Sequence, residues 1–296
     1  MSKNAFLSYL SKEKNYSGHT VAAYQTDIEE FSAFLAQHHD GQLLENVAYP
    51  LVRDWIVFLV GKGVSNRTVN RKISALKAYY RFLQKSNVID HNPLGKHRAL
   101  KVERKIEIPF SVAEMETVLA SLPFEKDFEG YRDRLVIELL YATGIRRAEL
   151  VNLKCADVDL ANNTIKVLGK RNKERYLPIL SQLKNTLNDY LLHRNSLGFI
   201  ENDAFLLLTK NGHKIYETLV YRVINKYLGL ASVKVKKSPH ILRHTFATHL
   251  LGKGADLNAV KELLGHASLA STQVYTHSSI SELKRVHQTA HPRSKE

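Results

Sequence analysis

The 296-residue chain is poor in the features that cross-link a protein or anchor it in a membrane. It has a single cysteine, Cys155, so no internal disulfide can form and the reducing cytosol is the expected compartment. No apolar run approaches the ~20 residues that span a bilayer, and the N-terminal stretch lacks the apolar core of a signal peptide. We therefore expect a soluble cytoplasmic protein. Cys155 has no activating pattern of cations around it, which predicts a small buried side chain and not a nucleophile.

Acidic residues are scarce relative to basic ones. There are 29 Asp and Glu against 43 Lys and Arg, which gives a formal net charge of +14, and such a chain attracts polyanions. The hydrophobic fraction of 44% is enough for real cores, and the length exceeds the usual size of one domain. We therefore expect two folded domains and a polyanionic partner.

Helical periodicity dominates residues 1–95, which we expect to form a helical domain. Within residues 20–35 apolar side chains recur at spacings of three and four, which predicts one apolar stripe on an amphipathic helix. A shorter helix is predicted over 51–63 and a third over 65–84. The outer face of this third helix carries five basic residues, namely Arg67, Arg71, Lys72, Lys77 and Arg81.

The lack of acidic residues on the third helix favours contact with phosphates. Solvated helix faces ordinarily mix the two signs of charge, because opposite charges four residues apart stabilise a helix. An ordinary solvated face is the alternative for these candidate DNA contacts.

A second domain is predicted over 111–296, after a basic linker over 96–110 that includes Lys101 as a further candidate DNA contact. Ser111 followed by Glu114 forms a capping box, which begins a helix. The stretch TIKVLGKRNKERYLPI predicts two short strands around a cationic turn, and further helices are predicted over 181–192, 216–229, 240–251, 256–264 and near the C-terminus.

The stretch KSPHILRHTFATHLL suggests an anion site at the start of a helix. Ser238 is a good N-cap and Pro239 suits the first helical position, so His240 and Arg243 lie about one turn apart near the free amides. An arginine can bind a phosphate there through two parallel hydrogen bonds. A metal site at His240, His244 and His249 is the alternative, but no acidic residue separates the first two histidines as in a metalloprotease helix. A second arginine, Arg146, follows a helix end at Gly144 in ATGIRRAEL.

Together these stretches resemble the tyrosine recombinases, the phage integrase family, and most closely its Xer-type members. ATGIRRAEL resembles the first-arginine box, HILRHTFATHLL the His-x-x-Arg box, and LLGHASLASTQVYTH the box that pairs a histidine with a tyrosine nine residues later. VLGKRNKERYLPI resembles the family's β-hairpin. The resemblance implies a mainly α fold with a small β component, in which a SAM-like core-binding domain and an α/β catalytic domain form a C-shaped clamp on DNA.

The resemblance also implies a role for each matching residue. Tyr275 would be the nucleophile and His266 the second histidine, while Arg171 and Lys173 on the hairpin would contact phosphates. The remaining catalytic residues would be the first arginine Arg146, the hairpin lysine Lys170, and the paired His240 and Arg243. Two arginines can neutralise the charge of the pentavalent transition state, and a phosphotyrosine conserves the bond energy, so neither metal nor cofactor is expected. The chain also lacks the Gly-x-x-x-x-Gly-Lys-Ser/Thr loop of many ATP-binding proteins.

The expected function is site-specific recombination of double-stranded DNA through a 3′-phosphotyrosyl intermediate and a Holliday junction, which would resolve chromosome or plasmid dimers at cell division. A phage or mobile-element integrase, a type IB topoisomerase-like nickase and a non-catalytic DNA-binding protein are the alternatives. The resemblance implies a tetramer on two sites. The sequence leaves open whether a paralogue completes the tetramer and whether a DNA translocase activates it.

Residues 280–296 form a short amphipathic tail, which we expect to dock on the neighbouring protomer, with its own domain as the alternative.

Overall fold

The computed structural model describes residues 2–103, 108–121, 123–169, 173–232, 237–265 and 277–294, with the backbone alone for 277–282. The chain divides into two compact units, residues 1–105 and 106–296. Within the described ranges, no helix is both long and apolar enough to cross a membrane.

The described part of the first unit is a bundle of four α-helices. Serine side chains begin the two longest, because Ser17 accepts a hydrogen bond from the amide of Thr20, and Ser65 accepts one from the amide of Thr68. Large aromatic side chains fill the core, including Trp55, which is 1% exposed. The helices are α1 Ser2–Lys12, α2 Gly18–His38, α3 Tyr49–Gly61 and α4 Asn66–Lys85, so the three predicted helices are confirmed.

The chain beyond the bundle is attached to α4 by two asparagine side chains. The amide group of Asn70 donates to the carbonyl oxygen of Leu100 and accepts from its main-chain N–H, both at 2.8 Å. Asn66 donates to the carbonyl oxygen of Lys101 at 2.8 Å. This part of the predicted linker is therefore bound to the first unit.

The second unit is built around a buried helix, α6, which packs against α8 and α10. Its first helix begins at the predicted capping box, in which Ser111 and Glu114 bind each other's main-chain amides. The described helices are α5 Val112–Glu116, α6 Phe128–Thr143, α7 Arg147–Leu150, α8 Ser181–Asn195, α9 Glu217–Ala231, α10 Pro239–Gly252, α11 Leu257–Leu264 and α12 His277–Ala290.

A small antiparallel sheet accompanies these helices, with strands in the order β1 Val158–Asp159, β2 Thr164–Leu168 and β3 Glu174–Pro178. The two predicted strands are β2 and β3, paired so that Ile165 lies opposite Leu177 and Val167 opposite Arg175. Alternate side chains of β3 are buried, and Arg175 occupies one of these inward positions. A charged side chain therefore lies where the strand pattern ordinarily places an apolar one.

The C-terminal tail packs on its own unit. Leu283, His287, Ala290 and His291 are buried, and Nε2 of His287 donates to the carbonyl oxygen of Ala142 at 2.7 Å. The described part of the tail therefore packs as in the alternative stated from the sequence, and docking on a neighbouring protomer stays a prediction. The tail's imidazoles hydrogen-bond carbonyl groups near the end of α6, a pairing that helical periodicity alone does not reveal.

Candidate active site

Arg146 is placed by the turn that joins α6 to α7. Gly144 ends α6 with a φ of +61°, and a Cβ atom there would lie 2.4 Å from the ring of Phe246, so both the backbone conformation and the space require glycine. The main-chain N–H of Arg146 donates to Glu149 at 2.9 Å, and its Nη1 donates to Oε1 of the same carboxylate at 2.7 Å. The Arg146 side chain remains 38% exposed, so it is anchored yet still accessible to a ligand.

Arg243 lies on α10 and is buried. Its two terminal nitrogens donate to the carbonyl oxygens of Gly144 and Leu264. Burial, together with the positive charges of Arg146 and Arg175, lowers the pKa of Arg243 to about 10. Because this pKa stays well above neutrality, the guanidinium keeps its charge near pH 7.

The C-terminus of α11 brings three arginines together. The last carbonyl groups of a helix lack partners within it and carry partial negative charge. Here three successive carbonyls, those of residues 263–265, each accept a hydrogen bond from a different arginine. Nε of Arg175 lies 3.0 Å from the first oxygen, Arg243 binds the second, and Nη2 of Arg146 lies 2.9 Å from the third. Side chains from three separate elements thus converge at one helix end.

Glu149 links two of these arginines. Its oxygens accept from Arg175 at 3.0 and 2.8 Å, in addition to the bonds from Arg146. Burial alone would raise the pKa of Glu149, but hydrogen bonds and charge from Arg175, with the bonds from Arg146, hold that pKa below its usual value. Arg175 is not among the site residues predicted from the sequence. A charged residue at an inward position of β3 was the available signal.

The predicted His240 is exposed on the first turn of α10, where Ser238 caps the helix and Pro239 begins it, as predicted. Lys173 is exposed beside the hairpin. The predicted residues Lys170, Arg171, His266 and Tyr275 lie outside the described residues. In the sequence, Lys170 directly follows Gly169 and His266 directly follows Gly265.

The predicted DNA-contact residues of the first unit fall into two groups. Arg67, Arg71 and Arg81 are exposed on α4, as is Lys101 beyond it, and Lys77 is half-buried. The expectation of an outward side chain is wrong for Lys72, whose ammonium is buried and bonds Glu30 and, at 3.2 Å, Asp27. The acidic partners come from α2, so the search for acids within α4 missed them.

Cys155 and His249, two further residues considered from the sequence, lie in surroundings that indicate a structural role. The thiol of Cys155 is half-buried, and burial raises its pKa, which keeps it protonated and a poor nucleophile. His249 lies between the Tyr141 hydroxyl and the carbonyl oxygen of Phe110, each at 2.9 Å. Over the ranges that the structure covers, no group of three or more His, Cys, Asp or Glu side chains could hold a metal ion.

Comparison with known proteins finds two family models on this chain. Residues 110–282 match the phage integrase family, and residues 4–87 match the phage integrase N-terminal SAM-like domain. Tyrosine recombinase XerC of Staphylococcus carnosus (strain TM300) is 38% identical over 99% of this chain and 98% of its own length. Tyrosine recombinase XerC of Bacillus pumilus (strain SAFR-032) is 37% identical over 98% of this chain and 95% of its own length.

A solved structure has the same fold. It is the XerH site-specific recombinase bound to a palindromic difH substrate, in a post-cleavage complex. It is 23% identical in sequence, with a TM-score of 0.72 over 98% of this chain and 82% of that one. The mainly helical architecture with a small sheet is therefore shared with that protein.

Proposed function

The chain belongs to the phage integrase family and is a tyrosine recombinase, an enzyme that cuts and rejoins DNA, and from this premise we propose that it resolves chromosome or plasmid dimers at cell division. The similarity to two XerC recombinases over nearly their whole length supports this proposal. The observation that carries the proposed chemistry is the convergence of Arg146 and Arg243 at the end of α11.

In this proposal Arg146 and Arg243 bind the nonbridging oxygens of the phosphate that is cleaved. Negative charge grows on those oxygens as the phosphorus becomes pentavalent, and donors already held in place stabilise it without reorganisation. Carbonyl oxygens and Glu149 orient both guanidiniums before DNA arrives. Both arginines therefore act most strongly on the transition state.

Tyr275 is the proposed nucleophile. A bond forms between its phenolic oxygen and phosphorus, while the bond from phosphorus to the 5′ oxygen breaks. The phenol loses its proton, and the departing 5′ oxygen gains one, through the pair His240 and Lys170. His266 helps to hold the phosphate. The product is a 3′-phosphotyrosine and a free 5′ hydroxyl.

The reverse step reseals DNA without an outside energy source. Attack of a 5′ hydroxyl on the phosphotyrosine restores a phosphodiester, because the covalent bond to the enzyme has conserved the energy of the broken one. The arginines supply the charge stabilisation that a metal ion supplies in other nucleases. We therefore propose a reaction that needs neither ATP nor metal.

The proposed partner is double-stranded DNA, held by a tetramer on two recombination sites in the cytoplasm. Attack by the 5′ hydroxyl of the partner duplex gives a Holliday junction, and a second round gives recombinants. The net charge of +14 and the exposed arginines of α4 support binding to the DNA backbone. The proposed catalytic residues all lie in one chain, so each protomer carries a complete set for the cleavage chemistry.

The test is to map DNA that the wild-type protein traps covalently in its own cells. Dimer resolution predicts a single site of capture, opposite the replication origin. Capture at the ends of an inserted element would instead indicate an integrase. Supercoil relaxation by monomers that form no Holliday junctions would indicate a nickase.

A further inference from the structure

We propose that Arg175 is a positioning residue of the cleavage reaction, which acts by fixing Glu149 and through it the guanidinium of Arg146. The inference rests on the role proposed above for Arg146. It adds a residue on β3 that holds the site in its active geometry.

The contacts of Arg175 are those of a fixed residue. Its two terminal nitrogens bind the two oxygens of Glu149 at 3.0 and 2.8 Å, and its Nε binds the carbonyl oxygen of Leu263 at 3.0 Å. Its side chain is 5% exposed and that of Glu149 is 7% exposed. A bidentate pair between buried groups restricts both side chains.

The guanidinium of Arg146 is attached to this pair through one oxygen of Glu149. The Glu149 oxygen that receives Nη1 of Arg175 also receives Nη1 of Arg146 at 2.7 Å. An exposed arginine paired with a single carboxylate ordinarily gains little and moves freely. Here Arg175 immobilises the carboxylate, so the carboxylate can hold Arg146 in one orientation.

The pair also lies against two glycines at the start of the segments that carry other proposed site residues. A Cβ atom at Gly265 would lie 3.2 Å from Cδ of Arg175, and one at Gly169 would lie 3.5 Å from its Nη1. These glycines directly precede His266 and Lys170 in the sequence. Arg175 therefore lies close to the chain at both glycines.

Charge gives Arg175 a second effect. Glu149 is an anion beside the proposed phosphate site, and by itself it would offset the positive charge of Arg146. Pairing with Arg175 neutralises that carboxylate, so the cluster of three guanidiniums and one carboxylate remains net positive. Loss of Arg175 should thus weaken stabilisation of the transition state as well as the orientation of Arg146.

The test is single-turnover cleavage of a nicked suicide duplex that carries the mapped site, at saturating protein. Arg175→Lys keeps the charge but loses the bidentate geometry, and we expect cleavage to slow by about 10- to 100-fold while DNA affinity changes little. Arg194→Lys is the matched control, because Arg194 is a buried arginine of the same unit that binds the carbonyls of Asp203, Phe205 and Leu206. We expect this control to lose stability but to retain wild-type cleavage once folded.

A neutral methylphosphonate at the cleaved position distinguishes a positioning role of Arg175 from a general folding defect of the variant. This group has one fewer negative charge, so it depends less on the arginines, and the deficit of Arg175→Lys should shrink on it. The double variant Glu149→Gln with Arg175→Met removes both members of the buried ion pair together, so neither is left without the other, and it should still cleave the natural phosphodiester more slowly than the wild type.

Wild-type cleavage by Arg175→Lys, or an equal deficit on both substrates, would overturn the inference. The proposed function has a separate test, because wild-type cleavage by Arg146→Ala would remove the role of Arg146 itself.

Discussion

The two units each contain a cluster of basic residues, and the clusters differ in what holds them. On α4, Arg67 and Arg81 are exposed, and Arg71 is exposed but paired with Asp27 of α2. In the second unit, Arg175 and Arg243 are buried, and main-chain carbonyls fix their guanidiniums. The arginines of α4 are therefore exposed to solvent, whereas Arg175 and Arg243 are enclosed and bound on several sides.

This difference predicts different roles for the two clusters. Exposed cations strengthen DNA binding chiefly by releasing counterions, and that effect depends on salt. Fixed donors need no reorganisation when charge develops, so their removal costs reaction rate. We therefore expect substitutions on α4 to change affinity and substitutions in the second cluster to change the cleavage step.

The largest expected effect is on cleavage by Arg146→Ala and Arg243→Ala. Each removes a donor to the developing charge, so single-turnover cleavage should fall by roughly 10²- to 10³-fold with DNA affinity nearly unchanged. Equal cleavage by Arg243→Ala and the wild type at saturating protein would contradict the distinction between the clusters.

Burial leaves Arg243 charged but makes His287 neutral, and this contrast predicts a pH effect. Burial lowers the pKa of His287 to about 4, whereas an unfolded histidine binds a proton below about 6.5. The unfolded state therefore takes up more protons as the pH falls through this window. The free energy of unfolding of the second unit should drop by about 2 kcal/mol between pH 7 and pH 5 because of this group.

Calorimetric unfolding of the full chain at the two pH values measures this effect. His287→Gln keeps a donor for the carbonyl oxygen of Ala142 but has no proton to gain, so its stability should depend less on pH. An unchanged pH dependence in this variant would show that His287 is not the titrating group.

A smaller effect is expected from Lys72→Met in the first unit. The variant removes one partner of the buried Asp27, which keeps its pair with Arg71, so the free energy of unfolding should fall by about 1 to 3 kcal/mol. Trp55 is the single tryptophan, and its fluorescence in urea reports on this unit. Lys77→Met is the control, with a change within about 0.5 kcal/mol. Weaker DNA binding by folded Lys72→Met without a loss of stability would refute this account of Lys72.

The smallest effect is expected from Arg67→Ala, which should weaken DNA binding and reduce the slope of log affinity against log salt by about one. Arg71→Ala should give a similar loss of affinity, together with a loss of stability, because Arg71 also binds both oxygens of the buried Asp27. Cleavage at saturating protein should be unchanged in both variants. A slower cleavage step in Arg67→Ala would assign the α4 cluster a catalytic role.

Sequence patterns that span only a few residues predicted much of the fold. The capping box at Ser111, the helix end at Gly144 and the strands β2 and β3 depend on local backbone conformation, and all three agree with the structure. A local pattern also predicted Arg243 as an anion-binding candidate, the family resemblance implied a role for Arg146, and the structure brings the two together at one helix end.

Long-range pairings could not be predicted in this way. Lys72 and Asp27 are 45 residues apart, and Arg175 and Glu149 are 26 apart. The carbonyl groups of residues 263–265 that hold the arginines have no side-chain signature at all. For the same reason the sequence left the packing of the tail open, since an apolar helix face does not specify which surface covers it.

Covalent capture of a nicked suicide duplex, compared between the wild type and Tyr275→Phe, tests the central claim most directly. The account predicts that the wild-type protein becomes attached to the DNA as a 3′-phosphotyrosine. Tyr275→Phe should bind the duplex with nearly the same affinity and never become attached, because it lacks only the nucleophilic hydroxyl. A stable 3′-phosphotyrosyl complex formed by Tyr275→Phe would contradict the assignment.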